Sequence, residues 1–210
     1  MWLRRKKEEP LMADNTWLVV GLGNPGPKHA GNRHNLGAMV ADRLAGDVGG
    51  RFSAHRARAD VLTGRLGMVG GRPGPRVVLA KPQSWMNESG GPVSGLVRFF
   101  HVPLDRLLVV HDELDLPFGA VRLKRSGGEG GHNGLKSISR SLGSRDYCRL
   151  RLGIGRPPGR MDPADFVLRD VPAADRAEQS IMIEEAADAV AEVLRWGFER
   201  AQGVVNTSGP

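Results

Sequence analysis

The sequence predicts an α/β layered protein, and three observations predict it. Short apolar runs recur at 17–20, 76–80 and 107–110, stretches with helix-spaced apolar residues fall between them, and loops rich in Gly and Asn follow the runs. With 210 residues the chain is long enough to bury a substantial core. One domain is expected over 16–206, with 1–15 a disordered extension and 207–210 a tail. Met12 is an alternative start.

Taken in order, 17–20 is an apolar run that ends in Gly21 and reads as a buried strand. After a Gly/Pro-rich loop, Leu36, Met39, Val40 and Leu44 have the spacing of an amphipathic helix over 34–44. Residues 49–74 are strand-and-turn in character, and 76–80 is a strand that runs into the loop 81–87. A helix over 91–100 puts Val93, Leu96, Val97 and Phe100 on one face. The strand 107–110 runs directly into His111-Asp112-Glu113. Residues 121–124 alternate, 126–131 form a loop, and 133–142 reads as a helix. Over 149–154 basic and apolar residues alternate, as in a half-buried strand. Residues 172–201 read as one long amphipathic helix, acid-rich on its outer face. The polar segments 21–26, 81–87, 111–113 and 127–133 follow strands or lie beside them, where α/β proteins place their sites.

The net charge of +7 is unevenly spread. Residues 1–15 carry +1 and 171–210 carry −4, which leaves 23 basic and 13 acidic groups, a net +10, in 16–170. An acidic partner such as nucleic acid fits that middle part, although solubility alone gives the same pattern. Aromatic residues make up only 5% of the chain, which argues against extensive base stacking and for recognition of phosphates and shape. No apolar stretch approaches the roughly 20 residues of a membrane span, and the basic run 4–7 has no apolar run behind it, so neither a membrane partner nor a signal peptide is expected. Cys148 is the single cysteine, which excludes an intramolecular disulfide and suits a reducing cytoplasm.

Gly21-Leu22-Gly23-Asn24-Pro25-Gly26 matches the dinucleotide fingerprint, with Asp42 at the spacing of a ribose-binding acid. The match fails on its physics. Pro25 and Pro27 remove two of the amides a pyrophosphate needs, and Asp42 falls inside a predicted helix. What remains is a tight turn presenting Asn24. His34 stands at a helix start, where the positive end of the helix disfavours imidazolium and suits a general base, although capping or surface histidines also occur there. Asp112 ends an apolar strand, placed either to orient such a histidine or simply in a solvated acidic turn. The glycines of 127–134 form a flexible loop or let backbone approach a phosphate, with Asn133 at a helix start. Asn87 ends the loop 81–87, either as a binding amide or as a helix cap.

No nucleophile elbow, H-E-x-x-H helix or clustered Cys/His set is present in the sequence. A water nucleophile, a His base and amide side chains are what is left.

The stretches GLGNPG, RHNLG, KPQSWMNESG, HDELDLPFG, GGEGGHNGLKSI and RLRLGIGRP, in this order and spacing, resemble the bacterial peptidyl-tRNA hydrolase family from about Trp17 to Asn206. The resemblance implies a single domain with a mixed, twisted central sheet packed between helices, monomeric, cytoplasmic, and without metal or other cofactor. It implies hydrolysis of the ester joining a peptide to the 3′-terminal ribose of tRNA, with the acceptor stem and 3′ end as the bound parts. His34 matches the family's base, Asp112 its orienting acid, and Asn24 the residue that tells N-blocked from free aminoacyl groups. Asn87 and Asn133 match substrate-holding amides, and His132 joins the binding residues of the glycine loop. Trp85 matches an aromatic contact to the tRNA end. Lys124 and Arg151 match basic tRNA-binding positions, with Arg122 in place of a lysine. His29 stands where the family has a tyrosine that contacts substrate. Two other classes are a non-catalytic RNA-binding protein on the same fold and a metal-dependent hydrolase using His34, Asp112 and His132.

Overall fold

The strands in chain order are β1 (Trp17–Gly21), β2 (Ser53–His55), β3 (Ala59–Arg65), β4 (Met68–Val69), β5 (Arg72–Pro73), β6 (Arg76–Pro82), β7 (Leu107–Glu113), β8 (Val121–Arg125) and β9 (Cys148–Gly153). In the computed structural model, which describes residues 16–207, seven of them form one sheet in the order β2-β3-β6-β1-β7-β9-β8. The expectations for 1–15 and 208–210 lie outside the described residues. β6, β1, β7 and β9 run parallel, and β3 and β8 pair antiparallel at the two flanks, so the sheet is mixed. β4 and β5 form a separate antiparallel ribbon.

The helices are α1 (Leu36–Val48), α2 (Gly90–Phe100), α3 (Asn133–Leu142), α4 (Pro163–Val167), α5 (Arg176–Trp196) and α6 (Phe198–Val205). Side chains alternate across a strand, so β1 feeds two cores at once. Trp17 and Val19 pack with Leu36, Val40 and Leu44 of α1 and the buried stripe of α5. Leu18 and Val20 pack with Val93 and Leu96 of α2 and Leu135 and Ile138 of α3. A central strand covered on both faces reads as an unbroken apolar run, which makes 17–20 legible as a strand.

α1 is seated by backbone against backbone. A Cβ on Gly21 would lie 2.2 Å from the Gly37 carbonyl oxygen, and a Cβ on Gly37 would lie 2.2 Å from that of Val110. Ala38 N–H donates to Leu22 O at 2.9 Å and Leu22 N–H to Val110 O at 3.0 Å, so the approach is also hydrogen-bonded. This contact fixes the start of α1 over the end of β7. Gly37→Ala should therefore destabilise the fold by at least the 1–3 kcal/mol typical of overpacking, read as a lowered midpoint in thermal unfolding.

The expected single helix over 172–201 is corrected to two. Gly197 takes φ 85°, and the chain turns there so that Phe198 is buried and α6 folds back on β8. Asn206 accepts from Leu123 N–H at 2.8 Å and donates to Leu123 O at 2.9 Å, and Gln202 donates to the same oxygen at 3.0 Å. The outer strand thus has polar backbone groups covered instead of open. The expected helix over 34–44 begins two residues later, with His34 in a 3-10 turn, Arg33–Asn35.

Candidate active site

Asp112 stands near the end of β7 and is 3% exposed. The turn before α1 brings His34 to it, with Nδ1 2.8 Å from Oδ1 and 3.0 Å from Oδ2. From the other side His132 Nε2 lies 3.0 Å from Oδ1. The tautomers follow from the partners. A carboxylate only accepts, so His34 carries its proton on Nδ1 and leaves Nε2 as the basic nitrogen. His132 caps α3 by accepting from Gly134 N–H at 3.1 Å and Leu135 N–H at 3.4 Å through Nδ1, so its proton is on Nε2, donated to Asp112. Burial alone pushes the Asp112 carboxyl up, but His34 and His132 and the hydrogen bonds they make to it hold it well below the usual carboxylate range.

The third histidine is of another kind. His111 Nδ1–H donates to the Asp112 carbonyl at 2.7 Å, and its Nε2 has no partner among the described residues. Burial, with His132 adding to it, pushes its pKa down to about 3, so this ring is neutral and shut off from solvent. Cys148 is equally remote from nucleophilic chemistry, because burial pushes its thiol up to about 11.

Ligand atoms of His34, Asp112 and His132 lie within 4.8 Å of one another, the set that the metal-dependent reading needs. Its hydrogen-bond roles do not fit that reading. A metal on His132 Nε2 would move the ring proton to Nδ1, which points at the N–H groups of Gly134 and Leu135.

A cleft of about 400 Å³ opens over the group, with His34, Asp112, Leu114, His132, Asn133 and Val167 among its walls. Val167 belongs to α4, an element absent from the expectations drawn on the sequence. Its signal is nevertheless present, as Asp162 capping Ala164 N–H at 2.8 Å with Pro163 at the first helical position.

The asparagines come in by separate routes. Asn24 is locked in the turn after β1, exchanging hydrogen bonds of 2.9 Å with Asn35 through its backbone N–H and O. Its Oδ1 accepts from Met86 N–H at 2.9 Å, and its Nδ2 donates to nothing among the described residues. No α-helix starts within 21–26, and Asp42 lies in α1 in an ion pair with Lys81, so the fingerprint is a turn and nothing more. Asn87 is exposed in the 3-10 turn Met86–Glu88, and the caps there are Trp85 and Ser89, which removes capping as its role. Asn133 is exposed at the first position of α3. Met86 joins these segments, because its Sδ lies 2.5 Å from where a Cβ on Gly134 would be.

His29 meets Trp85 edge-on at 5.6 Å between ring centroids, and the indole is 53% exposed. His29 Nδ1 is 2.9 Å from Asn32 Oδ1, and Asn32 Nδ2 donates to Asp170 at 2.8 Å. The His29 ring is therefore oriented by a hydrogen-bonded chain of its own.

On β8, Arg122 and Lys124 stand opposite Arg151 and Arg149 of β9, all on one face of the flanking pair. The other face supplies Val121, Leu123, Leu150 and Leu152 to the core. Arg151 lies 3.7 Å from Glu113, and Arg122 donates to Val121 O at 2.8 Å. Glu129, an acid in the basic region, is accounted for by Arg145, whose Nε donates to it at 2.7 Å. Besides α4, the burial of Arg149 and the second donor on Asp112 go beyond what the sequence predicts.

The site therefore sets an imidazole, held through Nδ1 by a buried carboxylate, on the wall of an open cleft. The family model described as "Peptidyl-tRNA hydrolase" matches residues 18–209. A peptidyl-tRNA hydrolase from Kineococcus radiotolerans is 59% identical over 189 residues, covering 90% of this chain and 96% of the relative. One from Frankia casuarinae is 60% identical over 189 residues, covering 90% and 93%. The crystal structure of the Acinetobacter baumannii peptidyl-tRNA hydrolase superposes with a TM-score of 0.79 at 32% identity, covering 93% of this chain and 97% of that one. The chain belongs to the peptidyl-tRNA hydrolase family.

Proposed function

We propose that this hydrolase cleaves peptidyl-tRNA with a water activated by His34 Nε2, while Asp112 holds the ring and stabilises the imidazolium as it forms. The observation that carries this reading is the pair of hydrogen bonds from His34 Nδ1 to the Asp112 carboxylate, which leaves one basic nitrogen on a wall of the cleft. The attacking water adds to the ester carbonyl, and the proton it loses passes through His34 to the departing ribose oxygen.

The amides of Asn24, Asn87 and Asn133 hold the peptidyl end, with Asn24 Nδ2 the free donor that reads the N-blocking group. Trp85 and His29 take the tRNA end, and Arg122, Lys124 and Arg151 take acceptor-stem phosphates, a salt-sensitive contribution. The enzyme works as a cytoplasmic monomer without a metal. Among the described residues no helix is long and apolar enough to cross a membrane.

The experiment compares release of an N-acetylaminoacyl group and of a free aminoacyl group from the same tRNA. Wild type should strongly prefer the blocked substrate. Asn24→Ala should lose most of that preference, because a site built around a hydrogen bond discriminates through the group left unpaired. Equal preference in both proteins would exclude Asn24 as the discriminating residue.

A further inference from the structure

Arg149 is a buried cation with no counter-ion bonded to it among the described residues. It is 1% exposed, its two terminal nitrogens donate to Gly128 O at 2.6 Å and Gly127 O at 2.8 Å, and its guanidinium lies 4.8 Å from the Tyr147 ring centroid. No carboxylate among the described residues is bonded to it, and its Nε has no partner there. Taking a charge out of water is costly, and here it is spent on two loop carbonyls.

The topology says why those carbonyls need holding. β8 runs antiparallel to β9, so it ends at the wrong edge of the sheet: Arg125 pairs with Cys148, whereas Asp112 pairs with Leu152. The glycine segment has to come back across the sheet face to deliver His132. A Cβ on Gly127 would lie 3.0 Å from Lys124 Cε, and one on Gly130 would lie 3.5 Å from Glu113 Oε1, which marks the two ends of that return. Arg149 grips its beginning. Beneath it, Tyr147 OH is 3.1 Å from Ser139 Oγ, which ties the residue just before β9 to α3. At the far end of the crossing, His132 donates to Asp112.

We propose that Arg149 is a positioning residue for the catalytic carboxylate. By fixing the Gly127 and Gly128 carbonyls it sets the path of the glycine segment, and through that path the approach of His132 Nε2–H to Asp112. It touches no substrate. The inference rests on the assignment of His34 and Asp112 made above.

The test is steady-state hydrolysis of N-acetylaminoacyl-tRNA by Arg149→Lys, with KM, affinity for deacylated tRNA and melting temperature measured alongside. An ammonium reaches one carbonyl where the guanidinium holds two. A displacement of about 1 Å costs up to about 100-fold, so kcat should fall about 10- to 100-fold with KM and tRNA affinity unchanged. Combined with His132→Asn, it should cost no more than His132→Asn alone, because both act through one hydrogen bond. Arg149→Gln, which removes the buried charge and keeps an N–H donor, gives the same readout should Arg149→Lys fail to fold. Normal kcat in a folded variant, a loss that multiplies with His132→Asn, or a loss confined to tRNA affinity overturns the proposal. His34→Ala is the control: if it stays active, the assignment beneath the proposal fails, whereas an inactive His34→Ala beside a normal Arg149→Lys removes the proposal alone.

Discussion

His34→Ala should abolish measurable release of an N-acetylaminoacyl group while tRNA binds as before. General-base help is typically worth about 10²- to 10⁴-fold, and neither of the two other histidines beside Asp112 is placed to give it. His111 is buried with its Nδ1 committed to backbone, and His132 has its Nδ1 committed to the α3 amides. The variant should also fold. Asp112 keeps its hydrogen bond from His132 at 3.0 Å, so the buried carboxylate is not orphaned. Single-turnover hydrolysis with a parallel tRNA filter-binding assay decides it, and near-normal turnover would remove His34 from the mechanism.

Asp112→Asn is expected to cost as much or more, for a different reason. His34 Nδ1–H is 2.8 Å from one carboxylate oxygen and 3.0 Å from the other, measured from the nitrogen. An amide with its oxygen at the first position sets an NH₂ against that same N–H. The ring then relieves the conflict by moving its proton to Nε2, where it can no longer accept one from water. An amide also gives no charge to stabilise imidazolium. In a triad where an aspartate orients a histidine in this way, the matching change costs about 10⁴-fold in kcat with the geometry intact. A comparable fall in kcat, with circular dichroism and tRNA affinity unchanged, is the expected result. A variant that kept wild-type kcat would show that Asp112 neither sets the tautomer nor stabilises the charge.

The sequence is most informative where one physical signal dominates. β1 and β7 are apolar on both faces because helices cover both, and a short run of that kind fits few arrangements besides a covered central strand. The fingerprint at 21–26 fails on its prolines, which remove amides a pyrophosphate would need, and no α-helix starts within it. Direction and path are what the sequence hides. Nothing local in 121–125 says that β8 runs antiparallel to its neighbour, so the glycine segment looks like a loop already at the catalytic edge. It is a return crossing instead, and Arg149 and the second donor on Asp112 follow from the crossing. The break at Gly197 is hidden because one glycine in a helical pattern costs only about 1 kcal/mol, too little to stand out against a long amphipathic stripe.

The clamp of α6 on β8 gives the chain an order of assembly. Gln202 and Asn206 reach Leu123 across 79 and 83 residues of sequence, so during synthesis the outer strand is made long before the groups that cover it. Until the last helix emerges from the ribosome, Leu123 N–H and C=O are open to water or to a neighbouring strand. The period of greatest exposure to mispairing therefore falls late in translation.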